Sequence, residues 1–272
     1  MKVKSVLGGI WVVLVVVVMA WLGKEGYRSA IAYERTSAEM GRLMQAENVA
    51  ESRLKDLAST LTFGMVKNDL KEKMLRLREI RDRQRRDNQN LAIAFGAVAA
   101  AALGSFFLLP PRLYTGLLSL GALIALINGL ITPILMIVVH KEVEYLGDVV
   151  LSFESKGILG SLRKLFEEGN TPVAAVILLF SVLLPAAKTV SLLFVSLFEY
   201  RPFAAKLVRF FKILGKWSML DVFVVALLVV YLGSGGVSRS EIEIGVYFFA
   251  AYVFLSMAAS LAAERMLDRV KS

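Results

Sequence analysis

Leu183-Leu184-Pro185-Ala186-Ala187-Lys188-Thr189 and Lys216-Trp217-Ser218-Met219-Leu220-Asp221-Val222-Phe223 each set charge against a long apolar stretch, and together they decide the fold. The first lies inside a near-continuous apolar run from Pro172 to Phe198; the second opens another from Trp217 to Leu232. Runs of this length cross a bilayer as helices, which puts Lys188 and Asp221 at bilayer depth. An unpaired Lys or Asp near the centre of a span costs roughly 2.5 to 3.5 kcal/mol on insertion scales, so such groups face a partner or a wet cavity. Depth makes the two candidates for each other. Lys188 lies about 11 residues before the polar boundary at Glu199, roughly 16 Å, and Asp221 lies about 5 to 9 residues past Lys216 and Lys212, roughly 7 to 14 Å. Ser181, Pro185 and Thr189 share a helix face with Lys188, and Trp217 and Ser218 share one with Asp221. The spacing predicts a polar cluster inside a bundle.

Outward from these two spans, composition sets the class. The chain has 272 residues, is 57% hydrophobic and has mean hydropathy +0.63, too apolar for a soluble domain. We expect an all-α polytopic membrane bundle of about six transmembrane helices. The other spans are read at about Val3 to Leu22, Leu91 to Leu109, Leu113 to Val139 and Ile244 to Ala263. The first is an uncleaved anchor, longer than a signal-peptide core and lacking a small-x-small cleavage site. Pro110-Pro111 turns tightly between the second and third. In the last span Ser256 and Ser260 lie one turn apart, close to Tyr252; such small polar residues allow close helix approach or line a cavity. The chain has no cysteine and one histidine, His140, so disulfides, thiolate metal sites and histidine clusters are excluded and no cofactor is expected. The net charge of +9 comes from basic residues flanking spans, which set topology or meet anionic headgroups. Nucleic acid is not an expected partner.

Between the first two spans, residues 24–90 are charged, proline-free and patterned at three/four spacing. Leu54, Leu57 and Leu61 form one stripe and Leu70, Met74 and Leu77 another, separated by Phe63-Gly64 and Asn68-Asp69. This predicts an extracytoplasmic helical hairpin. Its second arm starts at Asp69, with Glu72 at capping-box spacing, and its longer first arm must break, lean or fray, with Gly26 and Gly41 as the candidate places. The hairpin is either a spacer or self-association stalk, or a docking surface. Further on, Ile158, Leu162, Leu165 and Phe166 fall on one helix face before Gly169-Asn170. That helix either lies among lipid headgroups or packs on the end of the bundle.

Orientation signals conflict. Lys2 and Lys4, the loop Arg201 to Lys216, and Arg265, Arg269 and Lys271 fall on one side of a six-span chain, which should be cytoplasmic. Arg76, Arg78, Arg81, Arg83, Arg85 and Arg86 then fall outside. Long loops are the weaker signal, so both termini are expected in the cytoplasm of a bacterial inner membrane.

Pro185-x-x-Lys188, the basic loop after it and Trp217-Ser218-Met219-x-Asp221-Val222-Phe223 resemble the paraquat-inducible protein A family. The resemblance covers about Tyr114 to Arg265, one four-span module, and implies a membrane partner of MCE lipid-transfer proteins. Known members join two such modules and carry cysteine-rich zinc ribbons; this chain has one module and no cysteine, so neither the ribbon nor a two-module pathway carries over. The expected organisation is an anchor at 1–23, the hairpin at 24–90, a second span at 91–111, the four-span module at 112–265 and a tail at 266–272. Two functions follow. One is a subunit that passes phospholipid-like molecules between the membrane and an extracytoplasmic MCE-type carrier through the Lys188–Asp221 cluster, which could couple to protons; no Walker-type loop is present, so any energy from ATP would come from another subunit. The other is a non-transporting scaffold or stress sensor that binds partners, or a second copy of itself, through the hairpin. No nucleophile and base, and no pair of catalytic carboxylates, can be assembled, so an enzyme is not expected.

Overall fold

The computed structural model describes residues 2–43, 69–143, 147–197 and 238–268. The helical membrane bundle expected from the sequence is what the chain forms. Its elements are α1 (Lys2–Leu43), α2 (Asp69–Gly104), a 3-10 turn (Ser105–Phe107), α3 (Pro111–Ile131), β1 (Leu135–Val143), β2 (Gly147–Lys156), α4 (Ile158–Glu167), α5 (Thr171–Ile177), a π-helical turn (Leu178–Leu183), α6 (Leu184–Leu197), β3 (Ser238–Ile242) and α7 (Ile244–Asp268). Among the described residues, five helical segments are long and apolar enough to cross a membrane: Val6–Leu43, Glu72–Phe107, Pro111–Ile131, Thr171–Leu197 and Ile244–Met266. The span expected at 217–232, the stripe Leu54, Leu57, Leu61 and the turn at Phe63-Gly64 lie outside the described residues.

α3 is the centre. Two thirds of its span is buried, against 17% for Thr171–Leu197. In lipid no hydrophobic force drives one helix against another, so contact rests on close packing of small residues. α3 supplies them. A Cβ on Gly129 would lie 3.0 Å from the backbone nitrogen of Phe249 in α7, and one on Gly121 would meet Met19 of α1 and Leu255 of α7. Gly116 faces Ser196 at the far end of α6. Gly245, at the start of α7, approaches the carbonyls of Pro133 and Thr132 so closely that a Cβ would lie 2.5 and 2.8 Å from their oxygens.

These contacts give the helix directions. Trp11 Nε1 donates to Ser105 Oγ at 2.9 Å, Tyr114 OH donates to the Leu103 carbonyl at 2.9 Å, and the Arg265 guanidinium lies 5.3 Å from the centroid of the Phe106 ring. With Gly116 opposite Ser196, the start of α1, the end of α2, the start of α3 and the ends of α6 and α7 share one end of the bundle. The sheet and α4 occupy the other.

α1 and α2 are longer than the membrane requires. Their 42 and 36 residues extend about 63 and 54 Å at the helical rise, against a hydrocarbon core of roughly 30 Å. They pack as an antiparallel pair. Val15, Met19, Leu22, Gly26, Ala30, Tyr33, Ser37 and Met40 form the buried stripe of α1, and Leu77, Asn88, Ala92, Phe95, Ala99 and Ala102 are buried on α2, with Arg81 and Gln84 half-buried in the same seam. Spacings of three and four along both make a coiled-coil seam. Lys73 Nζ, 2.9 Å from Glu39 Oε1, ties its outer end. The break expected near Gly26 or Gly41 is absent, for α1 runs unbroken through both. Gly26 is a notch for the Phe248 ring, whose Cζ would stand 2.5 Å from an added Cβ; it is not a hinge. α2 begins at Asp69, where the capping-box spacing placed its start.

The three-stranded antiparallel sheet, ordered β2-β1-β3, was not anticipated. The third span was read to Val139, yet the helix stops at Ile131. Pro133 is the cause: it disfavours helical geometry in the residue before it, and Thr132 is extended at φ −86°, ψ 143°. The apolar run that follows, Leu135-Met136-Ile137-Val138-Val139, is rich in β-branched residues that suit a strand. Leu135 pairs with Lys156 of β2 and Ile242 of β3, and the β1–β2 register slips between Val139 and His140. The helix predicted around Ile158 to Phe166 is α4. Leu162 is buried against the bundle, whereas Phe166, on the same apolar face, is 42% exposed and Leu159 is 40% exposed.

The close approach of α7 to the α3–β1 corner yields a stability test. Gly245→Ala places a methyl group against two backbone carbonyls and should cost about 1 to 3 kcal/mol, lowering the melting temperature in detergent. Gly96→Ala, in α2 with open space around it, should be neutral or stabilise by up to about 1 kcal/mol through helix propensity. Equal melting temperatures for the two variants would contradict the packing described.

Candidate functional site

The span from Thr171 to Leu197 carries half of the cluster predicted from sequence, and it is not a uniform helix. Residues 178–183 form a π-helical turn between α5 and α6. Pro185 explains its position: with no N–H it removes one rung of the α-helical ladder, and its ring crowds the carbonyl four residues back. Widened turns of this kind recur at functional sites. Ser181 lies half-buried within the turn, and Pro185 is buried just beyond it.

Thr189, 1% exposed, donates from Oγ1 to the Pro185 carbonyl at 2.8 Å. This bond satisfies the hydroxyl within its own helix, so Thr189 can sit in the bundle without a partner on another span. Lys188 is half-buried beside it and takes part in an interaction of its own. The structure therefore places Ser181 in the π turn and Pro185, Lys188 and Thr189 in the regular helix that follows it, all on one span. Asp221, Ser218 and Trp217 lie outside the described residues.

The second group read from sequence, on α7, is buried in the contact with α3. Tyr252 is 3% exposed and packs on Phe249 with ring centroids 5.7 Å apart. Ser260 Oγ donates to the Ser256 carbonyl at 2.9 Å. Ser256 is 3% exposed, and its own hydroxyl has no hydrogen-bond partner among the described residues. Ser119 of α3, fully buried, is in the same condition. α3 otherwise settles its polar side chains on its own backbone, with Thr115 Oγ1 donating to the Pro111 carbonyl and Asn128 Nδ2 to the Ile124 carbonyl, each at 2.8 Å.

A third constellation escaped the sequence reading. Where α1 and α2 leave the apolar part of the bundle, a cavity of about 330 Å³ lies among α1, α2 and the junction of β3 with α7. Tyr33, Arg85, Asn88, Gln89, Glu243 and Tyr247 supply its polar wall, and Ile242 and Ile244 its apolar one. Backbone bonds fix the junction: Glu243 N–H donates to the Ile134 carbonyl at 3.0 Å and Gly245 N–H to the Pro133 carbonyl at 3.1 Å. Glu243 is 6% exposed and Asn88 also 6%. The residues come from three distant parts of the chain. The available signals were Glu243, an acid immediately before an apolar span, and Asn88, a polar residue in a seam position.

Comparison with known proteins identifies the bundle. Residues 114–270 match the family described as paraquat-inducible protein A. The intermembrane transport protein PqiA of Escherichia coli (strain K12) is 30% identical over 120 residues, which is 41% of this chain and 28% of that protein. The protein of the same name from Shigella flexneri matches to the same extent. The chain thus covers under a third of the length of these curated relatives. No solved structure matches. The matched stretch begins at Tyr114 in α3 and takes in the sheet, α4 and the later spans, leaving α1 and α2 outside it. Because that match takes in more than half of the sequence, the chain belongs to the paraquat-inducible protein A family.

Proposed function

We propose that this protein is a non-enzymatic subunit of a bacterial inner membrane that moves phospholipid-like molecules between the bilayer and an extracytoplasmic carrier of the MCE type, and so maintains the envelope. The observation that carries the reading is the span Thr171–Leu197. It holds a lysine at bilayer depth and a π turn before a proline, and it is the least buried of the five described spans. Segments that move in function come from the weakly packed end of a structure. A relative's name, intermembrane transport protein, agrees in kind.

In this mechanism Lys188 and Asp221 pair across adjacent spans, with Ser181, Thr189, Ser218 and Trp217 as the polar groups around them. The pair holds the two spans together at mid-membrane, and a headgroup or a proton competes for the charges when the spans part. Tyr252, Ser256 and Ser260 lie against the next helix over. The long α1–α2 pair reaches outward to meet the carrier or a second copy of the chain. One feature favours a scaffold as the second reading: Leu75 and Ile80, on the outer half of α2, are 55% and 47% exposed, an unusual surface for a mere spacer. A scaffold, however, leaves the π turn and the lysine that follows it in α6 without a task.

Two predictions follow from this arrangement. The chain lacks cysteine, so single cysteines report sidedness. With both termini cytoplasmic, Ser59→Cys and Ser234→Cys should react with an impermeant maleimide in cells whose outer membrane is permeabilised, and Ala205→Cys should not; labelling at Ala205 alone inverts the topology. For the charge pair, Lys188→Ala and Asp221→Ala should each be harmful, because an orphaned buried charge costs roughly 3 to 5 kcal/mol. The double variant Lys188→Met with Asp221→Leu should regain thermal stability but not lipid transfer or growth under membrane stress. Full activity of the double variant would reduce both residues to packing.

A further inference from the structure

α4 is held at both ends, and that fixes which side of it faces out. At its start a Cβ on Gly157 would lie 3.3 Å from the Thr132 carbonyl oxygen, where α3 has just ended. At its finish Asn170 N–H donates to the Leu165 carbonyl at 3.0 Å and Gly169 N–H to the Phe166 carbonyl at 3.2 Å. Gly169 has φ +81°, so the helix closes in a Schellman turn, with its paired bonds and left-handed glycine. The turn leads straight to Thr171, where the next span opens. α4 thus runs from the end of one span to the start of another, both at the sheet end of the bundle, and its axis lies along the membrane surface.

So held, the helix divides its apolar side. Leu162 is buried and Ile158 packs on the core. Leu159 and Phe166, seven positions and so close to two turns apart, line up along the uncovered edge, both exposed. Lipid is what meets apolar surface at this level. Val173 and Val176, at the start of the span that follows, and Ile131, the last residue of α3, are exposed in the same way, so the apolar belt of the bundle reaches the helix from both of its ends.

The polar side carries its own counter-charges. Arg163 Nε lies 2.8 Å from Glu167 Oε1, and Lys164 Nζ lies 4.0 Å from Glu168 Oε1. Residues 158–168 hold these two cations and two anions and no other charge. Helices with unmatched Lys and Arg are drawn to anionic headgroups; a helix whose charges are matched within itself lacks that pull and is held by its apolar edge.

We propose that α4 is a membrane-surface helix, lying along the bilayer at the sheet end with Leu159 and Phe166 among the upper acyl carbons, and fitted to a zwitterionic lipid surface as well as to an anionic one. A scaffold would rest on the membrane in the same way, so this contact is independent of the transport reading.

The absence of cysteine allows nitroxide labels to be placed singly on the full chain, in nanodiscs holding one copy each. Leu159→Cys and Phe166→Cys are the test positions. Val173→Cys gives the lipid reference, and Gly160→Cys, on an exposed residue with open space around it, gives the water reference. Labels at 159 and 166 should be reached by oxygen, which partitions into lipid, as readily as the label at 173, and be shielded severalfold from a water-soluble nickel chelate relative to the label at 160. Their depth should be the same in phosphatidylcholine and in phosphatidylcholine mixed with phosphatidylglycerol. Glu167→Gln with Glu168→Gln, which takes the carboxylates from Arg163 and Lys164, should make the depth respond to phosphatidylglycerol. Nickel access at 159 and 166 equal to that at 160 would put the helix in water and overturn the assignment. Shielding from both reagents would mean that protein covers the edge, and would overturn it too. A wild-type depth that changes with phosphatidylglycerol, or a double variant that ignores it, would overturn the charge matching.

Discussion

The close approach of α3 to α7 is the constraint on which the rest of the bundle depends. Lipid tails solvate a leucine as well as a neighbouring helix does, so helices in a membrane stay together by fit. Here the fit needs glycine at Gly129 against the Phe249 backbone and at Gly245 against the Thr132–Pro133 carbonyls. With those contacts made, α7 starts where β1 starts, β3 is drawn onto β1, and Glu243 N–H reaches the Ile134 carbonyl. Sheet and bundle are thereby one packing unit. The remaining spans arrange themselves around α3, α1 through Met19 and Gly23 and α6 through Ser196.

α1 and α2 face a different problem, because their seam passes from lipid into water. Within the membrane it is built from Met19, Leu22, Ala92, Phe95, Ala99 and Ala102; beyond it come Tyr33, Ser37, Gln84 and Arg81. Several of the outer polar atoms, among them Ser37 Oγ, Gln84 Oε1 and Arg81 Nε, are buried without a partner among the described residues. Such layers fix register at a cost in stability. The arginine-rich stretch that sat uneasily with the orientation is partly balanced where it stands, by Glu72 with Arg76 and by Asp82 near Arg81. Arg85 has a place in the interfacial cavity.

Much of the fold was legible because membrane spans announce themselves by length and apolarity. α7 and the Pro110-Pro111 corner are found where they were read. The sheet was not legible from hydropathy, since an apolar strand following an apolar helix reads as one long span. Pro133 was the signal that separates them, and it acts through the backbone of Thr132. The π turn could not be read from helical spacing: spacing assumes an unbroken ladder, and Pro185 interrupts it. Gly26 and Gly41 misled in the opposite way, because glycine serves close packing as readily as bending. The interfacial cavity depended on tertiary contacts joining α1, α2 and the β3–α7 junction, which no local pattern encodes.

The account turns on lipid entering this bundle, and identification of what the purified protein carries tests that most directly. The full chain, extracted in a mild detergent and washed free of bulk lipid, should retain phospholipid in a fixed ratio to protein, detected by mass spectrometry of the intact complex. A folded, monodisperse protein that carries no lipid after such extraction, while still capturing a partner through its long helical pair, would contradict transport and leave a scaffold.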